Sequence, residues 1–179
     1  MYKYRGLITA ILGLLLLLLP PAGFELFCCA LAVFLFIAAF FLRVWARMYI
    51  GEHTRGSELS CPKFASIGPY RYIKHPIYLS NFMAGAAFAL FHAGFSVAAL
   101  GFCAIYGFFL ATLAMKENNF LKKEGKATPH HMPHIQNPLK SAMNDFPTWF
   151  WQIAMLILIF LRKNLDNADF FYYILSPYF

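Results

Sequence analysis

Five apolar segments, separated by turns and by two longer polar stretches, set the pattern of this chain. They cover residues 6–19, 26–45, 76–91, 95–115 and 146–161. A helix needs roughly 20 apolar residues to cross the hydrocarbon core of a bilayer, and the first and last segments are short by that measure. The pattern predicts an all-α, polytopic transmembrane helical bundle of about five membrane segments, the last of which is either a thin span or a re-entrant segment.

The breaks between segments predict how neighbouring helices lie. Pro20 and Pro21 end the first segment shortly before the second begins, so these two segments are expected to form a helical hairpin. Only a short His92-Ala93-Gly94 turn joins the third and fourth segments, which must therefore pack antiparallel. Glycine and alanine at positions 84–87 would let those two helices approach closely.

The N-terminus allows two interpretations. Lys3 and Arg5, followed by an apolar run, have the form of a secretory signal peptide. No small-residue cleavage site of convincing form follows, and the proline pair leads almost directly into another apolar run. We therefore interpret this segment as an uncleaved first helix.

Two polar stretches, residues 48–75 and 116–145, carry most of the charge. The 179-residue chain is 60% hydrophobic and only 13% charged, which is the balance of an integral membrane protein. Its net charge of +7 fits a cytoplasmic excess of lysine and arginine, since no nucleic-acid-binding module is visible. Arg43, Trp45 and Arg47 are expected to anchor the second segment at the lipid headgroups, with a place at the border of a binding pocket as the alternative. Thirteen of the fifteen cations lie at the N-terminus, in residues 43–75 or in the second stretch, so all three regions are predicted to face the cytoplasm.

Cysteine and histidine patterns predict neither a disulfide framework nor a metal site. Three of the four cysteines lie in apolar runs, and Cys61 stands alone in the first polar stretch. His130, His131 and His134 are close in sequence, but prolines beside them interrupt any helical ligand face, and no carboxylate or thiol spacing completes a site. A solvated loop is the favoured interpretation of these histidines.

The residues from Gly68 to Tyr78, Gly-Pro-Tyr-Arg-Tyr-Ile-Lys-His-Pro-Ile-Tyr, concentrate polar and aromatic side chains where the first polar stretch enters an apolar segment. The Gly-Pro pair predicts a turn. His75 before a proline is expected to be extended or turn-like, with a helix beginning at Pro76. The first-turn amides of that helix and the side chains of Tyr70, His75 and Tyr78 would then converge on the opening of one binding site.

This stretch resembles the signature of the isoprenylcysteine carboxyl methyltransferase family and, more broadly, of the integral-membrane methyltransferases that include phospholipid methyltransferases. The blocks Gly-Pro-Tyr-Arg-Tyr and Lys-His-Pro-Ile-Tyr both fit that signature without a gap. The likeness extends upstream through residues 42–47 and downstream through Lys-Glu-Asn-Asn-Phe-Leu at 116–121. It covers residues 42–125 of what is expected to be one membrane domain over residues 1–179.

The resemblance implies an S-adenosylmethionine-dependent methyltransferase that acts on a lipophilic or lipidated substrate. Methyl transfer is an in-line displacement, so the protein must align a sulfonium cation with a nucleophile. Aromatic faces suit the cation, and a carboxylate suits the ribose hydroxyls or the ammonium group of the cofactor. The resemblance implies cofactor binding by Tyr70, His75, Pro76, Ile77, Tyr78 and Glu117, with Lys63, Phe64 and Ala65 as weaker candidates. For His75 it implies a binding role rather than proton transfer.

The chain departs from the family pattern in two places that bear on function. The family has two adjacent glutamates where this chain has Glu117 and Asn118. Its isoprenylcysteine enzymes carry an arginine for the substrate carboxylate where this chain has Leu113, and Lys116 is at most a displaced substitute. The methyl-accepting nucleophile therefore stays open.

Two other functions also stay open. Membrane sterol reductases share a related Arg-His-Pro-x-Tyr element and bind a nicotinamide cofactor. The full Gly-Pro-Tyr-Arg-Tyr block and the small size of the chain favour methyl transfer over reduction. A non-catalytic membrane protein could also have kept the fold after losing the arginine and the second glutamate.

Overall fold

The computed structural model describes residues 4–23, 25–50, 67–123 and 135–175, with side chains described in these ranges except at 121 and 166–175. All regular secondary structure in these ranges is helical, which confirms the predicted class for this part of the chain. The helices are α1 (Arg5–Leu17), α2 (Leu26–Ile50), α3 (Pro76–Ala93), α4 (Val97–Lys123), α5 (Pro138–Met143) and α6 (Phe146–Leu175), with a 3₁₀ turn at Gly68–Arg71.

Two helices, α2 and α4, are long and apolar enough to cross a membrane, whereas α1 is apolar but shorter. Large apolar side chains stay exposed along both long helices, among them Phe34 and Phe41 on α2 and Phe108 on α4. The core helix of a soluble protein would bury such side chains. Their exposure favours lipid over water as the surroundings of these two helices.

The most extensive helix pair is α2 with α3, which run antiparallel. Buried alanines recur every seven residues along α2, at Ala32, Ala39 and Ala46. Small side chains let two helix backbones approach closely, which strengthens dispersion contacts where no hydrophobic effect operates between helices. The rings of Phe36 on α2 and Phe88 on α3 pack with their centroids 5.6 Å apart.

The third and fourth segments form the close antiparallel pair that the sequence predicts. Gly94 follows α3 with φ +59°, a conformation that favours glycine, and the chain turns there into α4. A Cβ on Gly85 of α3 would lie 2.4 Å from Cε1 of Tyr106 on α4. The glycine therefore lets the tyrosine ring lie directly against the α3 backbone.

The first helix does not pair along α2 as the hairpin prediction expected. It packs instead against α3 and α6, and Leu16 of α1 joins a buried cluster with Ala93 and Ile159. The turn after α1 is held to the end of α3, since the amide of Ala22 donates to the His92 carbonyl at 2.8 Å. Ile8 and Leu12 of α1 also pack against the buried cluster around Tyr106 on α4, so apolar contacts with several helices hold α1 in place.

Several helix ends differ from the predicted segment ends. The structure extends α2 to Ile50 and α4 to Lys123, and α6 continues unbroken to Leu175. Hydropathy marks where a helix leaves an apolar layer, whereas its hydrogen bonding can continue beyond that point. The second polar stretch also contains α5, which the sequence interpretation missed; Asn137 caps it by accepting a hydrogen bond from the Leu139 amide at 2.9 Å.

Candidate functional site

Polar contacts between helices gather at one end of the helical assembly, which we name the polar end. There α2 and α4 finish while α3 and α6 begin. Arg43 near the end of α2 donates to Asn81 near the start of α3 at 2.6 Å. His75, directly before α3, meets Asn118 near the end of α4 at 3.1 Å. Antiparallel packing thus places residues from distant parts of the chain at one depth.

The 3₁₀ turn at Gly68–Arg71 confirms the predicted turn and lies against α2. Gly68 has φ +62°, and a Cβ at this position would lie 2.6 Å from the Tyr49 ring. Both the backbone angle and the close approach therefore require glycine. Pro69 is buried and Tyr70 is partly buried. This packing fixes how the chain enters the first turn of α3.

The helix α3 begins at Pro76, as the sequence predicts. His75 caps it with φ −133° and ψ 68°, and Pro76 occupies the first helical position with its ring buried. Ile77 and Tyr78 follow in the first turn and are partly buried. The amides of a first helical turn have no acceptor within the helix, so they are directed out of the polar end.

The side chain of His75 turns towards α4, where two successive residues face its ring. Its Nδ1 lies 3.8 Å from Oε2 of Glu117, and its Nε2 lies 3.1 Å from Oδ1 of Asn118. The His75 and Tyr78 rings are 5.6 Å apart. The side chains of His75 and Glu117 are 17% and 27% exposed, so the pair is sheltered but reachable from solvent.

An apolar floor lies next to the group formed by His75, Tyr78 and Glu117. Tyr78 packs against a buried cluster on α4 formed by Tyr106, Phe109, Leu110 and Leu113. Leu113 is only 2% exposed, so the position that carries an arginine in the resembled enzymes belongs here to the helix core. Lys116, the displaced substitute, lies one turn further along α4 and is exposed.

A second polar cluster joins α2, α3 and the start of α6. Arg43 forms a buried ion pair with Asp145, and it also donates to Thr148 at 3.1 Å. Its guanidinium lies 5.9 Å from the centre of the Trp149 ring. Arg47 is 3% exposed, with Nε 3.9 Å from Oδ1 of the same carboxylate. The expectation that these two arginines anchor α2 at the headgroups is therefore wrong, because both guanidinium groups turn inward to Asp145.

The structure brings together only part of the predicted site. His75, Tyr78 and Glu117 lie in one group, with Pro76 and Ile77 in the same first helical turn and Tyr70 on the preceding 3₁₀ turn. Other predictions fall outside the described residues, namely those on Lys63, Phe64, Ala65, His130, His131 and His134.

Three polar partners were missed by the sequence interpretation. In the sequence, Asn118 stands out only as the loss of a glutamate, although its amide oxygen contacts His75. Asn81 lies inside an apolar run and Asp145 ends the second polar stretch, and the sequence interpretation gives neither of them a role. A polar residue next to a candidate ligand, or inside an apolar helix, is the signal that could have drawn attention to them.

Comparison of the chain with models of protein families, with curated proteins and with solved structures gave no match in any of the three. The proposal below therefore rests on the site's own residues and on the resemblance of the Gly68–Tyr78 motif.

Proposed function

We propose that this chain is an integral-membrane methyltransferase that uses S-adenosylmethionine to methylate a lipophilic substrate. The observation that carries the proposal is the contact between His75 and Glu117, whose Nδ1 and Oε2 atoms are 3.8 Å apart. His75 and Glu117 belong to separate motifs, and the resemblance implies that both of them bind the cofactor. Their meeting at a sheltered, polar end is what a shared cofactor site requires.

The residues at this end suit the parts of the cofactor. Glu117 would accept hydrogen bonds from the ribose hydroxyls or from the ammonium group, as a partly buried carboxylate does well. The aromatic faces of Tyr78 and Tyr70 suit a sulfonium cation, and the first-turn amides of α3 suit a carboxylate. His75 would close one side of the site beside Glu117.

When bound, the cofactor supplies an electrophilic methyl group on a sulfonium, and the chain needs no covalent intermediate of its own. The contribution of the protein is then to hold donor and acceptor in line and to exclude water. The apolar floor formed by Tyr106 and Leu113 serves the second purpose.

The arrangement of helices supports a multi-pass membrane location in this proposal. The helix α6 starts at the polar end, and Lys163 on it donates to the carbonyl of Phe91 near the end of α3 at 2.8 Å. This part of α6 therefore covers nearly the same depth as the whole of α3. A lipophilic substrate would reach the site between helices, while the cofactor would arrive from the cytoplasm.

The direct test is calorimetry on the purified protein in detergent micelles, with S-adenosylhomocysteine and NADPH titrated separately. We expect saturable binding of S-adenosylhomocysteine and none of NADPH. Binding of NADPH alone would replace the proposal with the sterol-reductase-like alternative. Binding of neither would favour a non-catalytic protein that has kept the fold.

A further inference from the structure

We propose that Asn118 is a positioning residue that fixes the tautomer of His75 and thereby keeps the Glu117 carboxylate available to a ligand. The inference rests on the proposed function of this site. It concerns a residue that the family resemblance presents only as a missing glutamate.

The two nitrogens of the His75 ring are held differently. Nε2 lies within hydrogen-bonding distance of the Asn118 amide oxygen, at 3.1 Å. Nδ1 is 3.8 Å from the nearer Glu117 oxygen, which is too long for a hydrogen bond. Asn118 is therefore the stronger determinant of where the ring places its proton.

The chemistry of the amide decides the tautomer. The amide turns its oxygen, and not its NH2 group, to Nε2, and a carbonyl oxygen accepts hydrogen bonds and cannot donate, so in this arrangement the neutral ring carries its hydrogen on Nε2. Nδ1 then presents a lone pair towards Glu117 and cannot donate to it. The carboxylate consequently keeps its accepting capacity for hydroxyl or ammonium groups of a ligand.

Loss of the Asn118 oxygen would reverse this arrangement. The carboxylate would become the better acceptor for the ring, the hydrogen would move to Nδ1, and His75 would compete with the ligand for Glu117. A glutamate at position 118 would instead place a second anion beside the ring, next to that of Glu117. Asparagine avoids both outcomes, because it is a neutral acceptor.

The tautomer can be measured without any ligand by ¹⁵N NMR of the histidine side chains in detergent micelles, at a pH where the ring is neutral. The His75 signals are assigned by their absence in His75→Gln. We expect the hydrogen on Nε2 in the parent protein and on Nδ1 in Asn118→Leu. Asn118→Gln, which keeps a neutral amide oxygen, should retain the parent tautomer.

The matched control is Asn119→Leu, since Asn119 is the next residue of α4 and is exposed. This control should leave the His75 signals unchanged. A parent ring with its hydrogen on Nδ1 would overturn the inference. An unchanged tautomer in Asn118→Leu would overturn it equally.

The consequence for the ligand is measured by titrating S-adenosylhomocysteine into the same variants. Asn118→Leu should bind about three- to tenfold more weakly than Asn119→Leu. This ratio corresponds to the free energy of one ordinary hydrogen bond. Equal affinities despite a changed tautomer would contradict the role assigned to Glu117. If the parent binds no S-adenosylhomocysteine, the proposed function fails, while the tautomer still decides whether Asn118 orients His75.

Discussion

Glu117 is partly buried beside His75. Among the contacts described for Glu117, none is a hydrogen bond to a cation. Its carboxylate is therefore well placed to accept hydrogen bonds from a ligand. Each hydrogen bond to a charged group is worth about 1.5–3 kcal/mol. Glu117→Ala should therefore weaken binding of S-adenosylhomocysteine by about tenfold to a hundredfold in calorimetry. His75→Ala should weaken it as well.

The matched control for this prediction is Glu25→Ala. Glu25 is an exposed carboxylate directly before α2, and it accepts a hydrogen bond from the Cys28 thiol at 3.2 Å. Its removal should leave the affinity unchanged, since α2 begins at the end opposite His75. Parent-like binding by both Glu117→Ala and His75→Ala would place the ligand elsewhere.

Leu113 bears on the choice of substrate. An isoprenylcysteine carboxylate is a full anion, and without a fork-shaped cation near this position its charge would be partly buried and unpaired, which costs several kcal/mol. Lys116 is a point charge that cannot make a bidentate contact. We expect only weak methyl transfer to N-acetyl farnesylcysteine, compared with a panel of amine, thiol and phenol lipids. Efficient turnover of the prenylcysteine, unaffected by Lys116→Ala, would contradict this expectation.

Single residues differ in how well the sequence predicted them. His75, Tyr78 and Glu117 could be nominated because they belong to short motifs whose spacing is local. The contact of Asn118 with His75 could not, because it depends on the rotation of α4 against α3. That rotation brings Tyr106 over Gly85 and Phe82 over Gly107, and both contacts involve two helices at once.

The contact of α3 with α4 depends on the absence of a side chain at Gly85. Gly85→Ala would place a Cβ 2.4 Å from the Tyr106 ring, so the helices must shift or the ring must move. Overpacking of this kind costs about 1–3 kcal/mol of unfolding free energy, which denaturant unfolding in detergent would measure. Gly101→Ala, with nothing within 4 Å of its added Cβ, should be neutral or slightly stabilising. Equal stability of the two variants would show that the helices do not pack as described.

The contact between α2 and the start of α6 depends on Asp145, which is 2% exposed and faces two arginines. Removing one partner of a buried ion pair leaves an uncompensated charge, so Asp145→Ala should cost about 3–5 kcal/mol of unfolding free energy. The double variant Arg43→Met with Asp145→Leu should cost less than the single one, because it also removes one of the two guanidinium groups that faced the carboxylate. A single variant as stable as the parent would rule out a buried pair.

Helices were predicted more reliably than their ends or partners. The starts of α2, α3 and α6 coincide with the starts of apolar runs, and a proline marks the start of α3. The extensions of α2 and α4 were missed because polar residues can continue a helix outside an apolar layer. The short α5 was missed because six residues are too few to show a helical repeat of apolar side chains. Its start depends on a single capping residue, Asn137.

For the molecule as a whole, composition predicted the helical class, since a chain that is 60% hydrophobic must satisfy its backbone hydrogen bonds internally wherever lipid surrounds it. The packing of α1 against α3 and α6 was not predictable in the same way. Hydropathy shows which segments are apolar. It does not show which helix faces carry side chains small enough for two helices to pack closely. The ion pair of Arg43 with Asp145 likewise joins residues that lie far apart in sequence.

The distribution of cations predicts how the molecule lies in a membrane. Thirteen of fifteen cations lie in the regions predicted to face the cytoplasm, whereas Arg162 and Lys163 lie near the middle of α6. Lys163 contacts the Phe91 carbonyl at 2.8 Å, which places it beside the turn between α3 and α4. By the positive-inside rule, the polar end should face the cytoplasm and this turn should face outward.

Cysteine labelling of intact cells with a membrane-impermeant reagent checks this orientation, in a variant whose four native cysteines are replaced. Ser57→Cys and Lys126→Cys should stay unlabelled from outside, because both belong to the cation-rich stretches. Val97→Cys and Leu165→Cys should be labelled, because Val97 and Leu165 are exposed at the opposite end, at 88% and 63%. Permeabilised cells, in which all four positions should react, provide the control. Strong outside labelling at position 57 or 126 would contradict the orientation, and labelling at 97 without labelling at 165 would show that α6 does not cross the bilayer.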